Sequence, residues 1–251
     1  MEPYATSAQV YAGGLIFARI ASMVMLLPAI GESPVPPRVR LAFAFLMALM
    51  LYPVVGSGIA AAPSTVGALA GNLIKEVLIG LMIGAILRMF LSSLSAAGEI
   101  LSLSTTLSFS QTAAPGQAQP TTSIATFLGI LGVVLIMTTD LHHLFISAMA
   151  RSYTLFPVVK AAPVADATQL AIRTVSNSFA LGLQLAAPVV VFSLIFNIAT
   201  GLVGRVMPQF QIFFVATPMM VLFGLSIFAL SLGAIGMVWV DHYRDLLMQF
   251  G

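Results

Sequence analysis

Long apolar runs, interrupted at depth by charge and proline, constrain this chain more than anything else in it. About six such runs fill its 251 residues, and nearly every one carries an ionisable residue or a proline near its middle or end. Lipid offers no partner to a charge or to a backbone group freed by proline, so those positions must face protein or water. The pattern predicts an all-α integral membrane protein whose helices are buried in a larger assembly. Composition agrees: 59% of residues are hydrophobic and 7% charged, against roughly 25% charged in soluble domains. The net charge of +2 supplies no basic stripe for nucleic acid. The absence of cysteine excludes disulfides, thiolate metal sites and a cysteine nucleophile. Met1-Glu2-Pro3-Tyr4 lacks the basic start of a signal peptide, so no cleaved signal is expected.

The first run spans about Val10 to Ile30, with Arg19 near its centre. Pro34, Pro36 and Pro37 form a rigid connector ahead of Arg38 and Arg40. The second run, about Leu41 to Val55, is short, and a small, weakly polar loop is expected from Gly56 to Gly71. The third, about Leu73 to Ala97, holds Lys75, Glu76 and Arg88, with Glu99 just beyond. From Ser102 to Ser123 the chain is uncharged, rich in hydroxyls and amides, and broken by Pro115, Gly116 and Pro120. This composition predicts a loop, and its lack of charge suits one held in a protein cavity. The fourth run, Ile124 to Met149, contains Asp140, His142 and His143; a polar connector, Arg151 to Arg173, follows. The fifth, about Asn177 to Met207, contains Pro188, and the sixth, about Ile212 to Val240, contains Pro218. Trp239, Asp241, His242, Tyr243, Arg244 and Asp245 make an interfacial end. If all six runs cross, basic residues divide five to three between the two sides, which sets no orientation.

Three constellations stand out. Glu76, Gly80, Gly84 and Arg88 recur at steps of four along one helical flank. Gly80 and Gly84 admit a second helix closely. Glu76 and Arg88, about 18 Å apart along a helix, must seek other partners, in plain helix packing or at a subunit contact. Asp140 and His143 can meet on one helical face, as a polar pair or a proton relay. Adjacent His142 and His143 are expected to diverge, so no metal site is predicted. Arg19 lies too deep to reach water and requires an interhelical or intersubunit partner. Glu99 and Arg205 sit near segment ends. No nucleotide-binding loop or nucleophile–base signature is found, so neither enzymatic activity nor a cofactor is expected.

Several landmarks follow one another in the chain: Phe17-Ala18-Arg19-Ile20, Leu27-Pro28-Ala29-Ile30-Gly31, Val35-Pro36-Pro37-Arg38-Val39-Arg40-Leu41, Lys75-Glu76-Val77-Leu78-Ile79-Gly80, Gly98-Glu99-Ile100, Leu107-Ser108-Phe109, Asp140-Leu141-His142-His143-Leu144 and Pro208-Gln209-Phe210-Gln211-Ile212-Phe213. In this order, and over nearly the whole chain, they resemble the FliR family, the flagellar branch of the export-gate proteins of type III secretion systems. The resemblance implies a multi-pass subunit in the bacterial inner membrane at the flagellar basal body. It implies a helical hetero-oligomer with FliP-like and FliQ-like subunits, alongside FlhB- and FlhA-like components, that conducts unfolded substrate proteins. Within a single domain, 1–251, residues 1–175 would be the FliP-like part and 176–251 a FliQ-like hairpin and tail, turning at Pro208, Gln209 and Gln211. Arg19, Arg38, Arg40, Lys75, Glu76, Arg88, Glu99, Asp140, His143 and Arg205 would make charge contacts between helices or subunits. A pore plug would fall on about 107–123, using Leu107, Ser108, Phe109, Ser110, Gln111, Pro115, Gly116, Gln117 and Gln119.

Three positions depart from the family pattern. Ala114-Pro115 stands where Asp-Pro is frequent, Leu141 where a glycine follows the aspartate, and Gln211 where Asn is common. From the residues alone, a proton-coupled small-solute secondary transporter built on Asp140, His143 and Arg19 is the alternative.

Overall fold

A computed structural model of the chain describes residues 6–32, 35–59, 62–107, 121–158, 164–207, 209 and 211–249. The regular structure among them is helical. Helix α1 (Ser7–Leu26) opens with a capping box: Thr6 accepts from the Gln9 amide, and the Gln9 side chain returns the bond. Helix α2 (Pro37–Val55) starts on a proline whose missing N–H costs nothing at that position. Helix α3 (Val66–Ser104) begins within the expected loop and continues past Ala97. Helices α4 (Ser123–Thr138) and α5 (Leu141–Leu155) replace the single fourth run. Helix α6 (Val164–Val206) takes up residues 164–173 of the expected polar connector, α5 takes up 151–155, and α7 (Ile212–Gln249) extends through the interfacial end. Among the described residues, five helices are long and apolar enough to cross a membrane, or six if the broken pair α4–α5 counts as one span. This matches the expected set of about six partly kinked helical segments.

The break between α4 and α5 has a local cause. Asp140 adopts a left-handed backbone, φ 58°, which ends one helix and starts the next. Aspartate is among the few residues other than glycine that visit this region routinely.

The chain forms two compact units: 1–90 with 140–175 and 244–251, and 91–139 with 176–243. In the first, Leu15, Ile16, Ile20, Met23 and Val24 of α1 are buried, and Phe17 meets Phe45 of α2 edge to face at 6.0 Å between centroids. The second is centred on Trp239, which is fully buried, stacked on Tyr243 at 4.9 Å and hydrogen-bonded from Nε1 to the Ser93 hydroxyl at 3.1 Å. There α4 runs hard against α3: a Cβ on Gly98 would meet the Ala125 backbone, which only glycine avoids.

Candidate functional site

Arg19 is the deepest charge in α1 and is completely buried, and α1 itself offers it no carboxylate. Its partners come from two other helices of the same unit. Nε donates to Glu76 Oε2 of α3 at 2.5 Å. Nη1 donates to the Ser152 carbonyl at 2.9 Å and Nη2 to the Phe156 carbonyl at 2.8 Å. Both carbonyls belong to the C-terminal end of α5, where the helix dipole favours a cation; the Ser152 carbonyl also accepts the Phe156 amide at 2.9 Å. The guanidinium also lies over the Tyr153 ring, 4.1 Å from its centroid, and the Tyr153 hydroxyl donates to the Ile16 carbonyl at 3.2 Å. One side chain thus ties α1, α3 and the end of α5 together. Glu76 is equally buried, and its Oε1 has no hydrogen-bond partner among the described residues.

Gly80 and Gly84 make this close approach possible. A Cβ at Gly80 would strike the Ser22 hydroxyl and the Arg19 carbonyl; one at Gly84 would lie 2.9 Å from both Leu26 Cβ and the Met23 carbonyl. The small-residue stripe on α3 therefore seats α1 of the same chain. Arg88, the last member of that stripe, reaches Glu32 at 3.8 Å in a half-exposed pair. Glu76 and Arg88 each find a partner inside the chain.

The other predicted charges hold connectors. Lys75 Nζ donates to the Val158 carbonyl just beyond α5. Arg40 donates to the carbonyls of Val35 at 2.9 Å and Glu32 at 2.8 Å, fixing the proline connector. Arg38 is exposed at the start of α2. Glu99 Oε1 accepts from the Thr122 amide at 3.0 Å, and Thr122 in turn caps α4. The segment expected to plug a pore is therefore framed by α3 on one side and a doubly held helix start on the other. Of its residues Leu107 is described, in the turn that follows α3; Ser108, Phe109, Ser110, Gln111, Pro115, Gly116, Gln117 and Gln119 lie outside the described residues. In the connector between α6 and α7, Gln209 and Gln211 are exposed and Pro208 lies outside the described residues. Arg205 sits in the last turn of α6, where a cation suits the dipole.

Asp140 and His143 do meet: the carboxylate lies 3.6 Å from His143 Nδ1 and 4.0 Å from His142 Nε2. The two histidines do not diverge as expected, since their ring centroids are 4.1 Å apart. Both rings lean toward the carboxylate presented by the left-handed Asp140. The three candidate ligand atoms fall within 4.8 Å of one another. Tetrahedral zinc ligands stand closer, about 3.3 Å apart for metal–nitrogen bonds of about 2.0–2.1 Å. Asp140 and His143 are mostly exposed, at 76% and 68%, so the cluster is a solvated polar patch rather than a closed cage.

Sequence reasoning identified Arg19 and Glu76 separately without pairing them. With only eight Asp and Glu in the chain, the need of Arg19 for an anion already narrowed the choice. Ser152, Phe156 and Tyr153 carried no such signal, because two of them act through their main chain.

A profile of the family described as bacterial export proteins, family 1, matches residues 10–246. The chain is 58% identical over 250 residues to the flagellar biosynthetic protein FliR of Caulobacter vibrioides, covering 100% of each. It is 29% identical to that of Aquifex aeolicus, over 94% of this chain and 91% of the relative. It is 26% identical to that of Escherichia coli, over 84% and 80%. With a match of this length and identity, the chain belongs to the bacterial export proteins, family 1, in its FliR branch.

Proposed function

We propose that this chain is a core subunit of the flagellar type III protein export gate. It would sit in the inner membrane at the basal body and conduct unfolded flagellar proteins without itself performing catalysis. The observation that carries the reading is end-to-end likeness to proteins named for flagellar biosynthesis. FliP-like and FliQ-like subunits are the partners it implies, with FlhB- and FlhA-like components beside them. Residues 1–175 would take the FliP-like role and 176–251 the FliQ-like role.

The physical features fit such a subunit. The principal buried cation is spent on joining helices, which leaves long apolar surfaces for neighbours. Only 33% of the most apolar window of α6 and 22% of that of α7 is buried within the chain. The uncharged segment at about 107–123 would close the pore to ions until substrate enters. Phe109 would supply apolar filling, and Gln111, Gln117 and Gln119 would bond to neighbouring backbone.

The transporter alternative asks Arg19 to serve a solute pathway, yet Arg19 and Glu76 are both shut away from solvent. Native mass spectrometry of the tagged chain, gently extracted from its host membrane, separates the readings. A single copy with several copies of two other small membrane proteins supports the export gate. A lone monomer or homodimer that moves solute after reconstitution refutes it.

A further inference from the structure

In the first unit, α5 and the last turns of α7 enclose an open pocket of about 250 Å³, lined by Leu144, Ser147 and Arg151 of α5 and by Leu247 and Met248 of α7. The α5 residues follow one another at steps of three and four and so share one face. Arg244 stands three residues before Leu247 and four before Met248, placing it one turn away on the face of α7 that carries both. Arg151 and Arg244 are both exposed, and among the described residues neither is paired with a carboxylate. Asp241 and Asp245 are rotated about 60° and about 100° around α7 from Arg244.

We infer that this pocket seats the headgroup of an anionic phospholipid. Its apolar floor accepts methylenes, the Ser147 hydroxyl can donate a hydrogen bond, and the Arg151 guanidinium offers the planar fork that matches two phosphate oxygens. Arg244, outside the lining, adds a second positive charge one helical turn away on α7. The volume falls below the roughly 300–1,000 Å³ of pockets that enclose a whole small molecule. It therefore holds a headgroup and the start of its chains, and the acyl tails run outside along apolar surface. Both helix ends meet polar sequence here: α5 leads into the connector after Leu155, and α7 carries Asp241, His242, Arg244 and Asp245. Headgroups occupy this level of a membrane. A zwitterionic choline lipid presents the same phosphate, but its own cation faces two arginines.

The test uses the chain extracted with whatever it assembles with, placed in nanodiscs of equimolar phosphatidylglycerol and phosphatidylcholine. Lipid retained after release is counted by native mass spectrometry. Each basic residue near an anionic membrane contributes about a fivefold preference, so the two together give about 30-fold. Retention should favour phosphatidylglycerol. The Arg151→Gln, Arg244→Gln double variant should lose most of that preference, while Arg38→Gln, also exposed but distant in sequence, should keep it. Inorganic phosphate at millimolar concentration should not displace the lipid, because it lacks the chains that occupy the floor. Equal retention of the two lipids, an unchanged preference in the double variant, or full displacement by phosphate overturns the inference. So does cross-linking from Arg151 or Leu247 positions to an acidic segment of a partner protein instead of lipid.

Discussion

Replacing Glu76 with alanine would leave the Arg19 guanidinium buried with two carbonyls and an aromatic face but no anion. Arginine cannot shed its proton to escape. Breaking a buried ion pair from one side costs about 3–5 kcal/mol. The double variant Arg19→Met, Glu76→Leu removes both charges and restores much of the lost volume. What remains is the cost of leaving the Phe156 carbonyl without its donor, about 1–3 kcal/mol, since the Ser152 carbonyl keeps its bond from the Phe156 amide. The damage is therefore non-additive: the double variant should be more stable than Glu76→Ala alone. At about 2–4 °C per kcal/mol for a chain of this size, Glu76→Ala should lower the unfolding midpoint by about 6–20 °C. Thermostability of the detergent-solubilised, fluorescently tagged protein, read as the surviving monodisperse peak after heating, gives the ranking. A Glu76→Ala midpoint within about 2 °C of the parent would mean that Glu76 does not neutralise Arg19. A double variant that falls below both single ones would contradict this ranking, because the pair would then be a net stabiliser rather than a mutual neutraliser.

Gly80→Ala should destabilise by about 1–3 kcal/mol in the same assay, because its methyl enters the contact with Ser22 and the Arg19 carbonyl. Gly233→Ala, which has open space around it, should be neutral or stabilising by up to about 1 kcal/mol. Removing the Glu99 carboxylate with Glu99→Ala should speed hydrogen exchange of the Thr122 amide by about tenfold, for a lost bond of about 1.5 kcal/mol; an unchanged rate would mean that the capping bond is not made in the membrane. The lone tryptophan, Trp239, should emit at blue-shifted wavelength and resist quenching by aqueous acrylamide, since it is wholly buried. A red-shifted, readily quenched emission would place it at a surface.

Much of this architecture was legible in advance because membrane helices declare themselves by length and apolar content. The demand of Arg19 for a partner and the small stripe at Gly80 and Gly84 were likewise readable, since a buried charge and a missing side chain each impose a local requirement. Which helix would meet that requirement was not. Glu76 lies 57 residues from Arg19, and the other two acceptors are main-chain carbonyls that any residue type could have supplied. The split of the fourth run was hidden for a different reason. Apolar residues resume at Leu141 and Leu144 after the polar Thr138-Thr139-Asp140, so the two helices read as one run, and one left-handed residue changes the path. Residues 164–173 read as connector because of Asp166 and Arg173, yet Leu170, Ala171 and Thr174 continue a helical period into the apolar run that follows. Length and hydropathy predict spans well; the points where a span bends or starts early depend on single residues and on neighbours distant in the chain.

Conduction of unfolded protein is the central claim, and site-specific photocross-linking tests it most directly. A photoreactive amino acid placed at Phe109 or Gln117, in cells exporting a flagellar substrate fused to a domain too stable to unfold, should capture the stalled substrate. The same probe at Val10, on the exposed start of α1, should not. Substrate cross-linked at both loop positions, and only while export is engaged, is the predicted result. An actively exporting apparatus whose stalled substrate never touches either position would contradict the account.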